Sequence, residues 1–223
     1  MGQTKHGRSA LGLIALVMAG LLALPATGLA QLGGLLPPIG SSPPTTTTSG
    51  ITGDATAVRA TLLGALGLLT TTTALSDTGT LAGTDVAREA SQVTGSIPSL
   101  LGAEVLSAST IAWPDQVASQ ASLANLNLGL AGIGITADSV VAQASQVAGA
   151  AGTGTTTISN LLINGVPIAI TGGPNQIVAI PGGQLIINEQ TISSTGTAVV
   201  NAIHVTVTGV ADVVIASATA GIA

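Results

Sequence analysis

The stretch "TISNLLINGVPIAITGGPNQIVAIPGGQLIINEQTISSTGTAVVNAIHVTVTG", residues 157–209, decides the fold class. Its runs of Val, Ile and Thr are cut by Asn164-Gly165, by "GGPN" at 172–175, by "PGG" at 181–183 and by "STG" at 194–196. Asn-Gly is the strongest two-residue hairpin signal, because both residues tolerate φ > 0. Short β-branched runs between Gly, Pro, Asn and Ser read as strands joined by tight turns.

Outward from this stretch, "ADVVIASAT" at 211–219 repeats the pattern of "ADSVVAQAS" at 137–145, and "AEVLSAS" at 103–109 is a shorter relative. The three do not share a fixed period, which a solenoid wants. We therefore read an all-β, antiparallel sandwich, with a β-solenoid as the alternative. The Ala and Ser residues face the interior where two sheets come close, and Val and Ile fill the other face. "GLAGIG" at 129–134 has its glycines in the wrong order for a phosphate loop and reads as a hairpin turn.

Towards the N-terminus the signal weakens. Val58, Leu62, Leu63, Leu66 and Leu69 have helix-like spacing, but Gly64, Gly67 and four consecutive Thr oppose a helix, so strand is the reading there. Asp85 to Val93 is expected to form one short helix capped by Thr84 or Asp85. Residues 31–54, with two Pro-Pro pairs and a Thr run, read as an extended, solvated linker in front of a domain spanning 55–223.

Residues 1–30 have the layout of a secretory signal peptide: Lys5 and Arg8, an apolar core, Pro25, and small residues Gly28 and Ala30. If uncleaved, Ser9 to Ala30 would just span a bilayer of ~30 Å, which is the only membrane contact expected. Removing the leader leaves Arg59 and Arg88 against nine acidic residues, a net charge of 2 − 9 = −7. No basic patch remains for a nucleic-acid backbone. Without cysteine the exported domain stands without disulfides. At about 190 residues it is long enough to do so on buried surface. There is no Phe or Tyr, and Trp113 is the only aromatic residue, so it serves either as a core plug or half-buried cap, or as a platform for a sugar ring.

The elements "NLLINGVP", "GGPNQIVAIPG", "INEQ", "NAIHV" and "VVIASATAGI" resemble the domain of the choice-of-anchor P family of bacterial secreted and surface proteins. The resemblance covers roughly residues 55–223 and is most specific over the last seventy. It implies a bacterial exported protein and no defined biochemical role. In that family a variable surface anchor commonly follows the domain. Here the chain ends at Ala223 without a sortase-type motif, a hydrophobic tail helix or a basic tail, so covalent wall attachment is not expected.

Glu189 and His204 are the residues closest to a chemical constellation. A type II′ loop at Gly196-Thr197 would set Glu189 opposite His204; a three-residue loop centred on Thr195 would set it opposite Asn201. An acid/base pair would still need a nucleophile and an oxyanion donor, and zinc would need further ligands. We read Asn188, Glu189, Gln190, Asn201 and His204 as hydrogen-bonding partners around a hairpin. Glu104, Asp138 and Asp212 recur near the heads of the three similar segments and suggest Ca²⁺ only if the fold gathers them. No GxSxG elbow or Walker-type loop is present. No catalytic, cofactor-binding or metal residue is therefore assigned. The expected function is an exported, non-enzymatic structural or interaction module, secreted or at the cell surface. Its partner would be an envelope polysaccharide or surface protein, and self-association stays open. The alternatives are a glycan- or calcium-binding adhesive domain and, behind it, a hydrolase that would depend on His204.

Overall fold

The computed structural model describes residues 50–64, 70–81 and 85–222. The leader, and the linker up to Ser49, lie outside them. Thirteen strands are described: β1 (Ile51–Leu63), β2 (Thr70–Asp77), β3 (Ala87–Ile97), β4 (Leu101–Trp113), β5 (Gln116–Leu130), β6 (Ile133–Val147), β7 (Thr153–Ser159), β8 (Leu162–Ile163), β9 (Val166–Pro167), β10 (Gln176–Ile180), β11 (Gly183–Ile192), β12 (Ala198–Val207) and β13 (Ala211–Ile222). All pairings are antiparallel. They make a sheet A in the order β10-β11-β12-β13-β1-β2 and a sheet B in the order β3-β4-β5-β6-β8-β9, with β7 also on β6. β13 packs over β5 and β6, β1 over β4 and β5, and β12 over β6 and β7. The all-β sandwich expected from the sequence is the observed fold. Among the described residues no helix is long and apolar enough to cross a membrane.

The turn chemistry acts as expected. Asn164 and Gly165, at φ 50° and 77°, close a two-residue hairpin between Ile163 and Val166. Its ladder is two pairs long; Pro167 sits at the non-hydrogen-bonded position opposite Leu162, where its missing N–H costs no bond, and Ile168 N–H donates to the Leu161 carbonyl beyond it at 2.9 Å. Ala131-Gly132 closes β5 onto β6, and Pro181-Gly182 closes β10 onto β11. Two expectations are corrected. Residues 87–97 are strand β3, paired along their length with β4, and not a helix; Asp85 pairs with Arg88 at 2.7 Å and caps no helix. Strand β1 begins at Ile51, inside the segment read as linker, because Ile51 to Asp54 pair with Ile222 to Thr219.

The apolar part of the interior is Val, Ile, Leu and Ala. Trp113 is not a core plug: it is 45% exposed on the outer face of sheet B. With small side chains inside, the two layers come close. A Cβ on Gly154 of β7 would collide with Val200 of β12, and one on Gly53 of β1 would collide with Thr110 of β4.

A seam crosses each sheet. In sheet A, Ala57, Ser76, Asn188, Ala202 and Ala216 each drop out of the pairing, while the register on either side is unchanged. The strands at the seam alternate: Asn188 (β11), Ala216 (β13) and Ser76 (β2) have φ of 54°, 52° and 48°, and the strands between them do not enter that region. Two consecutive residues then point inward, as in Ala57-Val58, Ile187-Asn188, Ala202-Ile203 and Ile215-Ala216, all buried. In sheet B two consecutive residues point outward instead, as in Glu104-Val105, Ala124-Asn125 and Asp138-Ser139. Val105 and Asn125 both have positive φ on neighbouring strands, and there the β4–β5 register shifts. Since strand side chains alternate with period two, each doubling exchanges the inward and outward sets beyond it.

Polar staples join the layers. Gln146, on β6 and 2% exposed, donates to the carbonyls of Ala150 and Thr195 at 2.9 and 3.1 Å and accepts from the Ile222 N–H at 3.0 Å. Ser119 of β5 donates to the Thr219 carbonyl of β13 at 2.6 Å and shares a 2.7 Å hydrogen bond with Thr110. Replacing Gln146 by Leu removes the partner of three backbone groups, of which the Ile222 N–H is buried. We expect Gln146→Leu to lower the unfolding free energy by about 2–3 kcal/mol in denaturant titration. The same change at exposed Gln184 should stay within about 0.5 kcal/mol.

Candidate functional site

His204 lies on the outer face of sheet A between two carboxylates. Its Nδ1 is 2.9 Å from Glu189 Oε2, its Nε2 is 3.0 Å from Asp212 Oδ2, and Thr206 Oγ1 is 3.4 Å from Nε2. Asn201 Nδ2 donates to the same Glu189 oxygen at 2.6 Å. The β11–β12 loop is the three-residue one: Glu189 pairs with Asn201, and Gly196 takes φ 86°. The seam supplies the rest. Because Ala202 and Ile203 both face inward, Asn201 and His204 both face outward, and Glu189 reaches the two of them at once.

A neutral imidazole has one N–H and would face one of the carboxylates with a lone pair; the imidazolium donates to both. Partial burial pulls the pKa of His204 down, and the hydrogen bonds and charges of Asp212 and Glu189 outweigh it, so the pKa stands above its ordinary value of 6.5. As a catalytic group this ring is fully committed. Asp212 occupies the nitrogen through which a hydroxyl would be activated, and Thr206, the only hydroxyl among the described residues hydrogen-bonded to the ring, sits mid-strand on an open sheet face. As a metal ligand it is blocked at both nitrogens, each of which faces a carboxylate, and the two carboxylates lie at opposite ends of the ring. Among the described residues no three His, Asp or Glu side chains are placed to share an ion.

The three acids weighed for calcium are not brought together. Asp212 is on sheet A, whereas Glu104 and Asp138 are on sheet B, two strands apart. Each of the latter is bound by an Asn of the seam: Asn125 Nδ2 donates to Glu104 at 2.7 Å, and Asn160 Nδ2 donates to Asp138. Further along the outer face of sheet A, Asp54 lies 3.7 Å from Arg59, and its pKa is raised, first by burial and then by the charge of Asp77, against the pull of Arg59.

The residues that sequence reasoning missed are on the opposite face. A trough of about 330 Å³ crosses the outside of sheet B, lined by Ser109, Ile111, Ala118, Gln120, Gln143 and Thr155 among others, none of them charged. Thr155 Oγ1 donates to Gln143 Oε1 at 3.2 Å, and Gln143 Nε2 donates to Gln120 Oε1 at 2.8 Å. Its signal in the sequence was the polar alternation of "ASQAS", "VAQAS" and "TGTTT", which marks an outer face and looks like ordinary solvation.

No family model matches the chain, and neither a curated protein nor a solved structure matches it.

Since His204 is the only histidine apart from His6, stability near neutral pH reports on it. A pKa raised by folding gives a stabilisation that is complete below the unfolded value of 6.5 and is lost as pH rises through the higher folded value. The melting temperature should therefore fall as pH climbs from about 6 to 9. His204→Gln should flatten that decline, and a His204 NMR titration midpoint at or below 6.5 would refute the assignment.

Proposed function

We propose that this chain is an exported, non-enzymatic interaction module of the bacterial envelope or extracellular space, of the choice-of-anchor P type. The observation that supports the interaction reading best is the uncharged trough on sheet B, an open surface whose amide and hydroxyl groups line space and not core. The non-enzymatic part rests on His204, whose two ring nitrogens are already matched to carboxylates. Export rests on the leader layout and the Pro/Thr linker. Nucleic acid is disfavoured because the two arginines among the described residues each lie beside an aspartate. The calcium alternative loses its support with the separation of Glu104, Asp138 and Asp212.

The test is to express the full chain in a bacterial host, fractionate the cells, and read the N-terminus of the recovered protein by mass spectrometry. The expected result is protein in the envelope or medium beginning at Gln31, retained when mixed with isolated envelopes. Recovery in the cytoplasm with the leader intact would refute export. An exported protein that leaves every envelope preparation unbound would refute the interaction reading.

A further inference from the structure

The trough has a construction that narrows its ligand. Three rows of outward side chains run across β4 to β7, and same-face neighbours along a strand are ~6.7 Å apart. The middle row is short: Ala118 and Ser145 stand opposite each other, between Ile111 and Thr153. One bank is the row Ser109, Gln120, Gln143, Thr155, with its amides in a hydrogen-bonded chain. Beyond the lining of the trough, the next outward row on β4 to β6 is Trp113, Gln116 and Val147, which are register partners at the strand ends. Trp113 and Val147 are 45% and 46% exposed, and Ile111 beside them is 40% exposed. At ~4.8 Å per strand the channel is about 14 Å long from β4 to β7.

We propose that this channel binds a neutral polysaccharide chain, laid across the strands with a sugar ring against Trp113. The inference rests on the interaction reading above and names its partner. Thr155 donates to Gln143 and Gln143 donates to Gln120, which leaves the Gln120 amide N–H groups and the Thr155 lone pairs outside the chain. Sugar hydroxyls both donate and accept, so they match such a row. The indole face offers an apolar surface with a polar tip, the combination that takes a partly wetted ring.

Charge decides between polysaccharides. The lining carries none, and Glu89 of β3, the register partner of Ser109, and Asp115, in the turn after Trp113, flank it with negative charge. Arg88 is turned to Asp85, and Arg59 is on the other sheet. An anionic polymer would meet repulsion with no cation among the described residues placed to offset it. A second copy of the chain fits less well: two identical troughs face to face would bury their amides around a void.

Trp113 is the only Trp in a chain without Tyr, so its fluorescence reports on the site directly. The experiment titrates the purified protein with soluble neutral polysaccharides (a β-glucan, a galactomannan) and with a polyuronate. Fluorescence is read alongside retention in gels containing each polymer. The expected result is a saturable blue shift and retention with a neutral polymer and neither with the polyuronate. Trp113→Ala should weaken retention by about tenfold, the scale of one aromatic contact. Gln120→Ala/Gln143→Ala should weaken it similarly, while Thr72→Ala on sheet A leaves it unchanged, all with wild-type circular dichroism. Retention that survives both trough variants, or polyuronate binding as strong as neutral binding, would overturn the proposal. So would silence with every neutral polymer. If envelopes still retain the chain in that case, the ligand class fails and the interaction reading stands; if they do not, both fail.

Discussion

A sandwich without aromatic side chains between its sheets must hold its layers together at short range. Large rings ordinarily fill the space between sheets; here Ala, Val, Ile and Leu do so, and Gly53 and Gly154 stand where even a methyl group would collide with the facing sheet. Close approach brings backbone within reach of side chains from the other layer. Gln146, Ser119 and Gln190 can therefore hydrogen-bond across the interface in place of merely packing against it. Buried polar groups cost stability unless satisfied, so these contacts fix which sheet positions oppose which. Hydrophobic burial of small residues supplies the driving force, and the staples supply the alignment.

The seams follow from the same economy of volume. A doubling in one strand would break the ladder, but when neighbouring strands double at the same level the register survives on both sides. Left-handed backbone on every second strand of sheet A achieves this, at Asn188, Ala216 and Ser76. Asn tolerates that region because its short side chain hydrogen-bonds locally. At Ala216 the strain is offset by neighbours on both flanks. The chemical outcome is on the surface: the doubling turns His204 outward beside Asn201, which lets one carboxylate serve two partners on adjacent residues of the outer face.

Much of this was legible in the sequence. Asn164-Gly165, Pro181-Gly182 and Ser194 to Gly196 announced their turns, because turn chemistry is local and each dipeptide carries its own φ preference. The antiparallel pairing of Glu189 with Asn201 was one of two registers that the loop allowed. The contact between Glu189 and His204 was visible only under the other register; the structure has both, because inward doubling at Ala202-Ile203 depends on what the neighbouring strands do. β3 misled for a related reason. Thr84 and Asp85 are residue types that cap helices, and pairing with β4, which no local window contains, overrode that local signal. The trough was illegible as a site because Ser, Thr and Gln at alternate positions are what any solvated strand face shows; only strand order sets Gln120, Gln143 and Thr155 in one row.

The first and last described strands are neighbours, with Ile51 paired to Ile222. Tension applied between those two points would not load the eleven β1–β13 pairs together, as it would if the strands left the sheet at opposite ends. It would peel them one at a time, which is the mechanically soft direction of a β-ladder. Gln146 holds the Ile222 N–H at the point where such a peel must start. The side chain that aligns the two layers is thus also the latch on the zipper.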